Sequence, residues 1–471
     1  MRRWNSFCSL LGLLLPALVA CGGNLLPGKQ DELEDTLEIY SWLTGPGEDE
    51  ALEELLRIYK QKHPEVSPLN AALRDPTNAR EELAARLEDG EPPDTFQAIS
   101  GSDLRDHVNK NRMEPIAYIG ERNGLDGVVN PVVLDTAKTD ETLFAVPINI
   151  ERDNNLYYNV ALLEELGITP PNTLEGFYDM CAQLQAEHPE IYPLAMPPAG
   201  WVLALVVFEA LMPGLNGGRF YLDFFNGEAQ FAEGSADIDE LERLFTEFFK
   251  IAQCSNVDAG AATDEDYAEW ERHGDAVYDG AAATIVMGDW IKGYFEAGVT
   301  WKGDQREPWV AGVHFDAVRS FGSGDHFTFN SAAFGLPIGA PHPRAAEAFL
   351  DIAASKEAQA AFNAKKGSVP ARIDVDLSVF DDMVRMAATD FQYAAAGEDL
   401  LLPGYASLTT FDFQKVINAA LVVFTLGGDK AATMLNSPRE TIVRPAEEQL
   451  EPGDIDYIVQ KIVANYGHIN P

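Results

Sequence analysis

Basic residues are scarce in this chain of 471 residues, which has 34 Lys and Arg against 75 Asp and Glu and a formal net charge of −41. Such a charge repels phosphate backbones and anionic lipid head groups, so the composition excludes nucleic-acid binding and argues against a polyanionic substrate. Disorder is also excluded, because 46% of the residues are hydrophobic and 10% are aromatic. The composition therefore predicts a folded, acidic, soluble body.

Motifs for catalysis, phosphate binding and metal binding are missing as well. The chain contains no GxGxxG, GxxxxGK[ST], HExxH or GxSxG pattern and no EF-hand loop. The eight His residues are scattered without metal-ligand spacing, and no CxxC occurs to hold zinc or to act in redox exchange. We therefore predict no catalytic residues, no metal and no cofactor, and a protein that is not an enzyme.

The hydrophobic run at the N-terminus is short. Arg2 and Arg3 form a positive head, and the apolar run from Leu10 to Val19 is shorter than the roughly 20 residues that span a bilayer. Small residues follow the run, as in a secretory signal. Residues 1–20 are thus predicted to be a signal peptide, which gives the mature chain an extracytoplasmic location.

The end of this segment, Leu18-Val19-Ala20-Cys21, resembles the bacterial lipobox. The resemblance implies lipidation of Cys21 and attachment to a membrane through its acyl chains, with residues 21–35 as a flexible tether. The alternative is a plain signal peptide with an incidental cysteine. Cys8 is lost with the signal in either case, so Cys181 and Cys254 remain, either as a disulfide or as two buried thiols.

Strand-like and helix-like segments alternate along the rest of the chain. The run Thr36–Trp42 predicts a strand, and Leu52, Leu55, Leu56 and Tyr59 recur at helical spacing after it. We predict that this helix stops at His63-Pro64 and that a second helix (79–87) leads to a strand over 93–98. Strand–helix–strand order is typical of an α/β fold with a mainly parallel sheet, in which ligands bind beyond the carboxyl ends of strands. Further strands are predicted over 143–150 and 280–290, and further helices over 343–355 and, from an Asp454 cap, at the C-terminus.

The order of these segments resembles the extracellular solute-binding proteins of bacterial carbohydrate ABC transporters, the maltose-binding-like family 1, over essentially the whole mature chain. Within that family the glucose-binding lipoproteins are the most similar. The segments that carry the resemblance are Ile39-Tyr40-Ser41-Trp42, Pro93–Gln97, Ala145–Asn159, Gly280–Trp290 with its Met287-Gly288-Asp289-Trp290, Phe334–Ala340, Gly367–Arg372 and the Cys181/Cys254 pair.

The resemblance implies a periplasmic-binding-protein fold of two α/β lobes with a ligand cleft between them. The N-lobe is expected over residues 36–146 and 296–342, and the C-lobe over 147–295 and 343–471. The implied function is to bind a mono- or small oligosaccharide, glucose among the candidates, and to deliver it to the permease of an ABC transporter. We expect a monomer.

The chemistry of a sugar requires aromatic planes for its C–H faces and polar groups for its hydroxyls. By the resemblance, Trp270 and Trp290 are the stacking planes, and Trp42 lines the N-lobe wall. The polar candidates are Glu48, Gln97, Asn149, Asp289, Lys366 and Tyr405, the last at a position where glucose binders have His. For each tryptophan the alternative is a place in the core, and the same alternative applies to Trp201.

Two positions depart from the glucose-binding pattern. Ile99 stands where those relatives have His, and Ala332 stands where they have Asp, so the identity of the sugar is open. Two other functions also remain. A secreted glycan-processing enzyme requires a pair of carboxylates about 5–9 Å apart, which nothing in the sequence selects, and a sensor or adhesion lipoprotein could use the same fold.

Overall fold

The computed structural model describes residues 34–73, 75–261, 265–434, 447 and 449–470. The predicted signal peptide and Cys21, with the tether up to residue 33, lie outside the described residues. The strands are β1 (Thr36–Tyr40), β2 (Ser67–Asn70), β3 (Thr95–Ile99), β4 (Lys138–Thr139), β5 (Thr142–Leu143), β6 (Ala145–Pro147), β7 (Asn149–Arg152), β8 (Asn155–Asn159), β9 (Tyr192–Ala195), β10 (Ala282–Met287), β11 (Phe315–Arg319), β12 (Phe327–Asn330), β13 (Ala332–Gly335), β14 (Val369–Pro370) and β15 (Leu401–Pro403).

The helices alternate with the strands in the first half of the chain and predominate in the second. They are α1 (Glu48–Lys62), α2 (Pro76–Asp89), α3 (Ser102–Asn109), α4 (Ala117–Asn123), α5 (Leu125–Val128), α6 (Pro131–Thr136), α7 (Val160–Glu165), α8 (Leu174–Glu187), α9 (Gly200–Ala204), α10 (Met212–Phe225), α11 (Ala236–Gln253), α12 (Trp270–Tyr278), α13 (Trp290–Ala297), α14 (Pro343–Ala353), α15 (Lys356–Lys366), α16 (Asp382–Ala396), α17 (Tyr405–Leu408), α18 (Phe411–Leu426), α19 (Gly428–Met434) and α20 (Ile455–Asn465).

Three sheets of four or five strands organise the body. The first has the order β2-β1-β3-β13-β6, the second β11-β8-β10-β9, and the third β14-β7-β12-β15. The first two are mixed rather than mainly parallel, because β13 runs antiparallel to both β3 and β6, and β8 runs antiparallel to both β10 and β11. The structure is α/β, as predicted.

The predicted lobe boundaries differ from the observed packing at two places. Residues 315–319, which were expected in the N-lobe, form β11 and pair with β8 of the second sheet. Helices α14 and α15, expected in the C-lobe, pack against α1, which flanks the first sheet. Their apolar faces are the reason, since buried residues such as Phe349 of α14 contact Tyr59 of α1.

Helix ends follow local signals. Helix α1 ends before His63-Pro64, as predicted, and the Asp454 side chain accepts a hydrogen bond from the Tyr457 N–H at the start of α20.

The predicted strand over 143–150 is instead divided among β5, β6 and β7, which belong to three different sheets.

The core around the second sheet contains an unusually apolar helical stretch. From Gly200 to Phe225 the chain is helical, and its most apolar window of 18 residues has a mean hydropathy of 1.4, with 67% of that window buried inside the protein. Residues Leu205–Leu211 within it form a π-helix, a widened turn that is frequent at functional sites. The burial of most of this window is typical of a core helix.

The predicted disulfide is not formed in the structure. Cys181 in α8 and Cys254 after α11 are free thiols. The two side chains are neighbours. The interaction with Cys254, together with burial, raises the pKa of the Cys181 thiol.

Candidate functional site

A cavity of about 130 Å³ lies between the carboxyl ends of the first sheet's strands and the helices beside the second sheet. Its wall includes seven of the residues predicted for the site, namely Trp42, Glu48, Gln97, Trp270, Trp290, Lys366 and Tyr405. Trp42 follows β1 and Gln97 lies in β3, so two neighbouring strands deliver side chains to one place. This is the position at which open α/β sheets bind ligands.

Four of the chain's seven tryptophans line the cavity: Trp42, Trp201, Trp270 and Trp290. Trp290 is the first residue of α13, directly after the turn that ends β10. Its ring lies 6.2 Å from the Trp201 ring at an angle of 47°. Trp270, the first residue of α12, packs edge-on against Tyr294 at 5.3 Å. All four rings remain partly exposed, so aromatic surface is available inside the cavity.

Lys366 joins two carboxylates at the base of this aromatic wall. Its Nζ donates to Glu48 Oε1 and lies 2.8 Å from Glu151 Oε1, and it stands 5.2 Å from the centre of the Trp290 ring. Burial alone would lower the pKa of Lys366, but the charges of Glu151 and Glu48 raise it above its ordinary value. Burial raises the pKa of Glu48, and the ammonium of Lys366 opposes that shift. The cluster therefore keeps its cation at neutral pH.

A second group of polar side chains on the cavity wall is centred on Glu209. Glu209, from the π-helix, accepts a hydrogen bond from the Tyr405 N–H at 3.1 Å, and the Tyr405 hydroxyl donates to Asn418 Oδ1 at 2.8 Å. Glu209 also hydrogen-bonds the Asp153 side chain. The Asp153 carboxylate in turn accepts from Asn330 Nδ2 at 2.7 Å.

Asp153 and Glu209 form a fully buried carboxyl pair. Burial raises the pKa of Glu209 to about 7. Burial, the Glu209 carboxyl and the more distant Glu151 and Asp289 raise the pKa of Asp153 well above its usual range. Two adjacent carboxyls in a low-dielectric site do not both ionise, so the pair holds a proton at neutral pH.

Two predicted site residues lie away from the cavity wall. Asn149 is fully buried, and its side chain accepts a hydrogen bond from the Ala332 N–H at 2.8 Å, which ties β7 to β13. Asp289 accepts from the Arg152 N–H at 3.1 Å and is likewise buried. The Arg152 N–H engages only Oδ2 of Asp289, and Oδ1 has no hydrogen-bond partner among the described residues. The roles of Asn149 and Asp289 in sugar binding stay predictions.

The two departures from the glucose-binding pattern are neighbours in space. Ala332 of β13 is the register partner of Ile99 of β3, and both line the cavity. Together they replace two polar side chains by one continuous apolar strip. A ligand that faces this strip gains no hydrogen bond there and meets C–H surface instead.

Sequence reasoning missed several wall residues: Arg80, Glu151, Glu209, Glu271, Asn330, Phe411, Gln414 and Asn418. Glu271 could have been predicted from the sequence, since it directly follows Trp270. No local pattern predicts the residues of α18, because Gln414 contacts Arg80 across 334 positions of sequence. Within the described part of the chain, no group of three or more His, Cys, Asp or Glu is placed to hold a metal ion.

A wall of indole faces, carboxylates and amides suits a neutral, hydroxyl-rich ring. The aromatic faces cover C–H surface, and the carboxylates accept from hydroxyl donors in a site where each charged hydrogen bond contributes about 1.5–3 kcal/mol. Lys366 is already paired with carboxylates, so an anionic ligand finds no unpaired cation in that cluster.

The fold, and a cavity between the first sheet and the helices beside the second sheet, are those of a solute receptor. The model of the bacterial extracellular solute-binding protein family matches residues 55–388, and the chain belongs to that family.

Named relatives cover most of the chain. An ABC transporter extracellular-binding protein of Pyrococcus horikoshii is 29% identical over 86% of this chain and 88% of its own. A probable sugar-binding periplasmic protein of Brucella suis is 27% identical over 84% and 90%. The xylose/arabinose-binding protein XacG of Haloferax volcanii is 25% identical over 78% and 76%.

Solved structures share the fold at low identity. The bacterial solute receptor AcbH, described with an exclusive preference for β-D-galactopyranose, superposes with a TM-score of 0.69 at 16% identity, over 92% of this chain and 99% of its own. A chitin oligosaccharide binding protein gives a TM-score of 0.68, also at 16% identity, over 92% and 99%. The maltose-binding-like fold of the prediction is thereby confirmed.

Proposed function

We propose that this protein binds a sugar in the cavity and delivers it to the permease of an ABC transporter. The observation that carries the proposal is the concentration of four tryptophans, with carboxylate and amide side chains between them, in one cavity of a solute-receptor fold. The printed names of the relatives, which include sugar-binding and xylose/arabinose-binding proteins, support it.

The size of the cavity supports a ligand of monosaccharide size. A water-sized position requires about 10–15 Å³ of such space, so about 130 Å³ offers roughly ten positions. The apolar strip of Ile99 and Ala332 makes a pentose, or another sugar with fewer hydroxyls on that side, a good candidate beside glucose.

We assign the roles of the cavity residues from the positions of their side chains in the wall. Trp270 and Trp290 stack on the faces of the ring, Trp42 and Trp201 enclose it, and Glu48, Gln97 and Lys366 bind its hydroxyls. Tyr405 positions the Glu209 carboxyl through its N–H. Isothermal titration of the purified protein with glucose, galactose, xylose and arabinose tests these roles, and a binder should lose affinity when Trp270 is changed to Ala.

The location belongs to the same proposal. Membership in an extracellular family supports action outside the cytoplasm, and Cys21 after the apolar run is the proposed lipid attachment site. Cys21→Ala should release the protein from the membrane fraction or leave the precursor unprocessed, whereas Cys8→Ala should not. Full membrane retention of the Cys21 variant, with normal processing, would rule the lipid anchor out.

We also propose that the protein acts as a monomer, which size-exclusion chromatography with light scattering tests.

A further inference from the structure

The cavity shares part of its wall with a much larger groove. The groove has a volume of about 860 Å³ and runs outside the cavity, between α2 and α3 on one side and α18 on the other. Arg80 and Phe411 belong to the lining of both spaces. These side chains therefore stand between the cavity and a space that has room for additional sugar units.

Arg80 is held in this wall by contacts on three sides. Its Nε and Nη2 donate to Asp103 Oδ1 at 3.1 and 2.8 Å, and its Nη1 donates to Gln414 Oε1 at 2.9 Å. The guanidinium carbon lies 4.1 Å from the centre of the Phe411 ring. Because a guanidinium is planar and rigid, hydrogen bonds at its edge and stacking on its face together fix its position.

Gln414 is itself fixed. Its amide group donates to the carbonyls of Ala406 at 3.1 Å and Thr409 at 2.8 Å, so its Oε1 must point towards Arg80. The side chain is buried, and rotation would leave its donors or the guanidinium without partners, which is costly in a buried site.

The contact joins the two sides of the cavity. Helix α2 connects β2 with β3 of the first sheet, and Asp103 lies on α3, directly after β3. Helix α18 packs against α9 and α20, on the side of the second sheet. A ligand that extended from the cavity into the groove would have to separate Arg80 from Gln414 and Phe411.

We propose that Arg80, Phe411 and Gln414 form a barrier that restricts the ligand to a single sugar ring. The inference rests on the proposed sugar-binding function and adds the residues that determine ligand length. A second ring would occupy the space of the Phe411 side chain or break the Arg80–Gln414 hydrogen bond, and the buried guanidinium would lose a partner. The barrier thus acts against longer ligands and leaves the hydroxyl-binding groups of the cavity unchanged.

The test compares ligand lengths in matched variants. The probes are glucose, galactose and xylose, with maltose, cellobiose, melibiose and xylobiose as their two-unit counterparts, measured by isothermal titration. The wild-type protein should prefer its best monosaccharide over the related disaccharides by about a hundredfold or more. In the double variant Phe411→Ala/Gln414→Ala, which keeps the Arg80–Asp103 ion pair, that preference should fall at least about tenfold through tighter disaccharide binding.

Two further variants complete the comparison. Phe411→Leu keeps an apolar side chain against Arg80 and should give a smaller change in the same direction, so the test survives if the double variant does not fold. Tyr118→Ala removes another aromatic ring that lies beside an arginine, 5.8 Å from Arg122 and away from the cavity. It should leave the length preference unchanged.

The outcomes separate the barrier from the function. Equal binding of monosaccharides and disaccharides by the wild-type protein overturns the barrier, and so does an unchanged preference in a folded Phe411→Leu or double variant. In either case the proposed function stands, because sugars bind. If neither these seven sugars nor arabinose binds the wild-type protein, the proposed function fails and the barrier fails with it.

Discussion

The indole of Trp290 lies directly over Gly288, so that a Cβ atom on residue 288 would stand 1.9 Å from Cζ3 of the ring. The three nearest atoms all belong to the indole, so any side chain at 288 requires the Trp290 ring to move. The absence of a side chain at 288 therefore allows Trp290 to face the cavity at the end of β10.

Gly288→Ala should consequently displace the Trp290 ring and weaken sugar binding. We expect a loss of at least tenfold in affinity, measured by titration, while α13 still forms. Gly127→Ala is the matched control, since nothing lies within 4 Å of a Cβ at that position. Unchanged affinity in the Gly288 variant would contradict the role of the Trp290 ring position.

Trp290→Ala should reduce sugar affinity by about 2 kcal/mol or more, as for an aromatic anchor in a binding site, and should lower the melting temperature of the free protein only slightly. Trp309→Ala is the control. That ring is buried and stacks on Tyr278 at 4.5 Å, so its loss should cost about 3–5 kcal/mol of unfolding free energy and leave binding by the folded fraction intact. The reverse pattern, a destabilised Trp290 variant with normal binding, would place Trp290 in the core.

The carboxyl pair predicts a pH dependence of stability. Burial raises the pKa of Glu209 to about 7, so the folded state binds more protons than the unfolded state above the ordinary value of about 4.3. This contribution is present in full below that value and is lost as the pH rises towards 7. A pKa that moves from about 4.3 to about 7 corresponds to a loss of about 4 kcal/mol over this interval.

Urea denaturation of the wild type and of Glu209→Gln between pH 5 and pH 8 measures this effect. The difference in unfolding free energy between the two should move in favour of the variant as the pH rises. Glu121→Gln, at an exposed position, should show no such trend. Parallel pH profiles for the wild type and Glu209→Gln would mean that Glu209 does not hold the proton.

The adjacent thiols predict a selective oxidation. Mild oxidant should link Cys181 to Cys254, detected by mass spectrometry of unreduced peptides, because the two side chains already hydrogen-bond. The crosslink should raise the free energy of unfolding by about 2–4 kcal/mol. Cys181→Ser should abolish both changes, and two thiols that stay free under oxidant would show that their geometry forbids the bond.

Much of the local structure was predictable, because helix and strand patterns are local. The spacing of Leu52, Leu55 and Tyr59 gave α1, and His63-Pro64 gave its end. The segment 143–150 was predicted as one strand, since most of its residues are apolar or strand-forming. Its division among three sheets depends on partners such as β13 and β14, which lie about 190 or more positions away and leave no mark on the local pattern.

The residues of the site likewise include some that local patterns predict and others that depend on distant partners. Trp42 and Trp290 follow strand ends and Gln97 lies within β3, positions that local patterns indicate, and the structure brings all three to one cavity. Asp289 also lies after a strand end, but the Arg152 N–H binds its Oδ2 and leaves only Oδ1 without a partner among the described residues. This competition for one oxygen is visible only in three dimensions. Arg80 and Gln414 belong to helices whose meeting depends on the packing of both halves of the chain.

The most direct test of the central claim is a thermal melting experiment on the purified wild-type protein with single sugars. The account predicts that at least one of glucose, galactose, xylose and arabinose raises the melting temperature, with a stabilisation of about 2.7 kcal/mol when the sugar is at a hundred times its Kd. The same sugar should give a much smaller shift with Trp290→Ala and a full shift with Gly127→Ala. Melting curves that none of these sugars moves, in wild-type protein with an intact fold, would contradict the account.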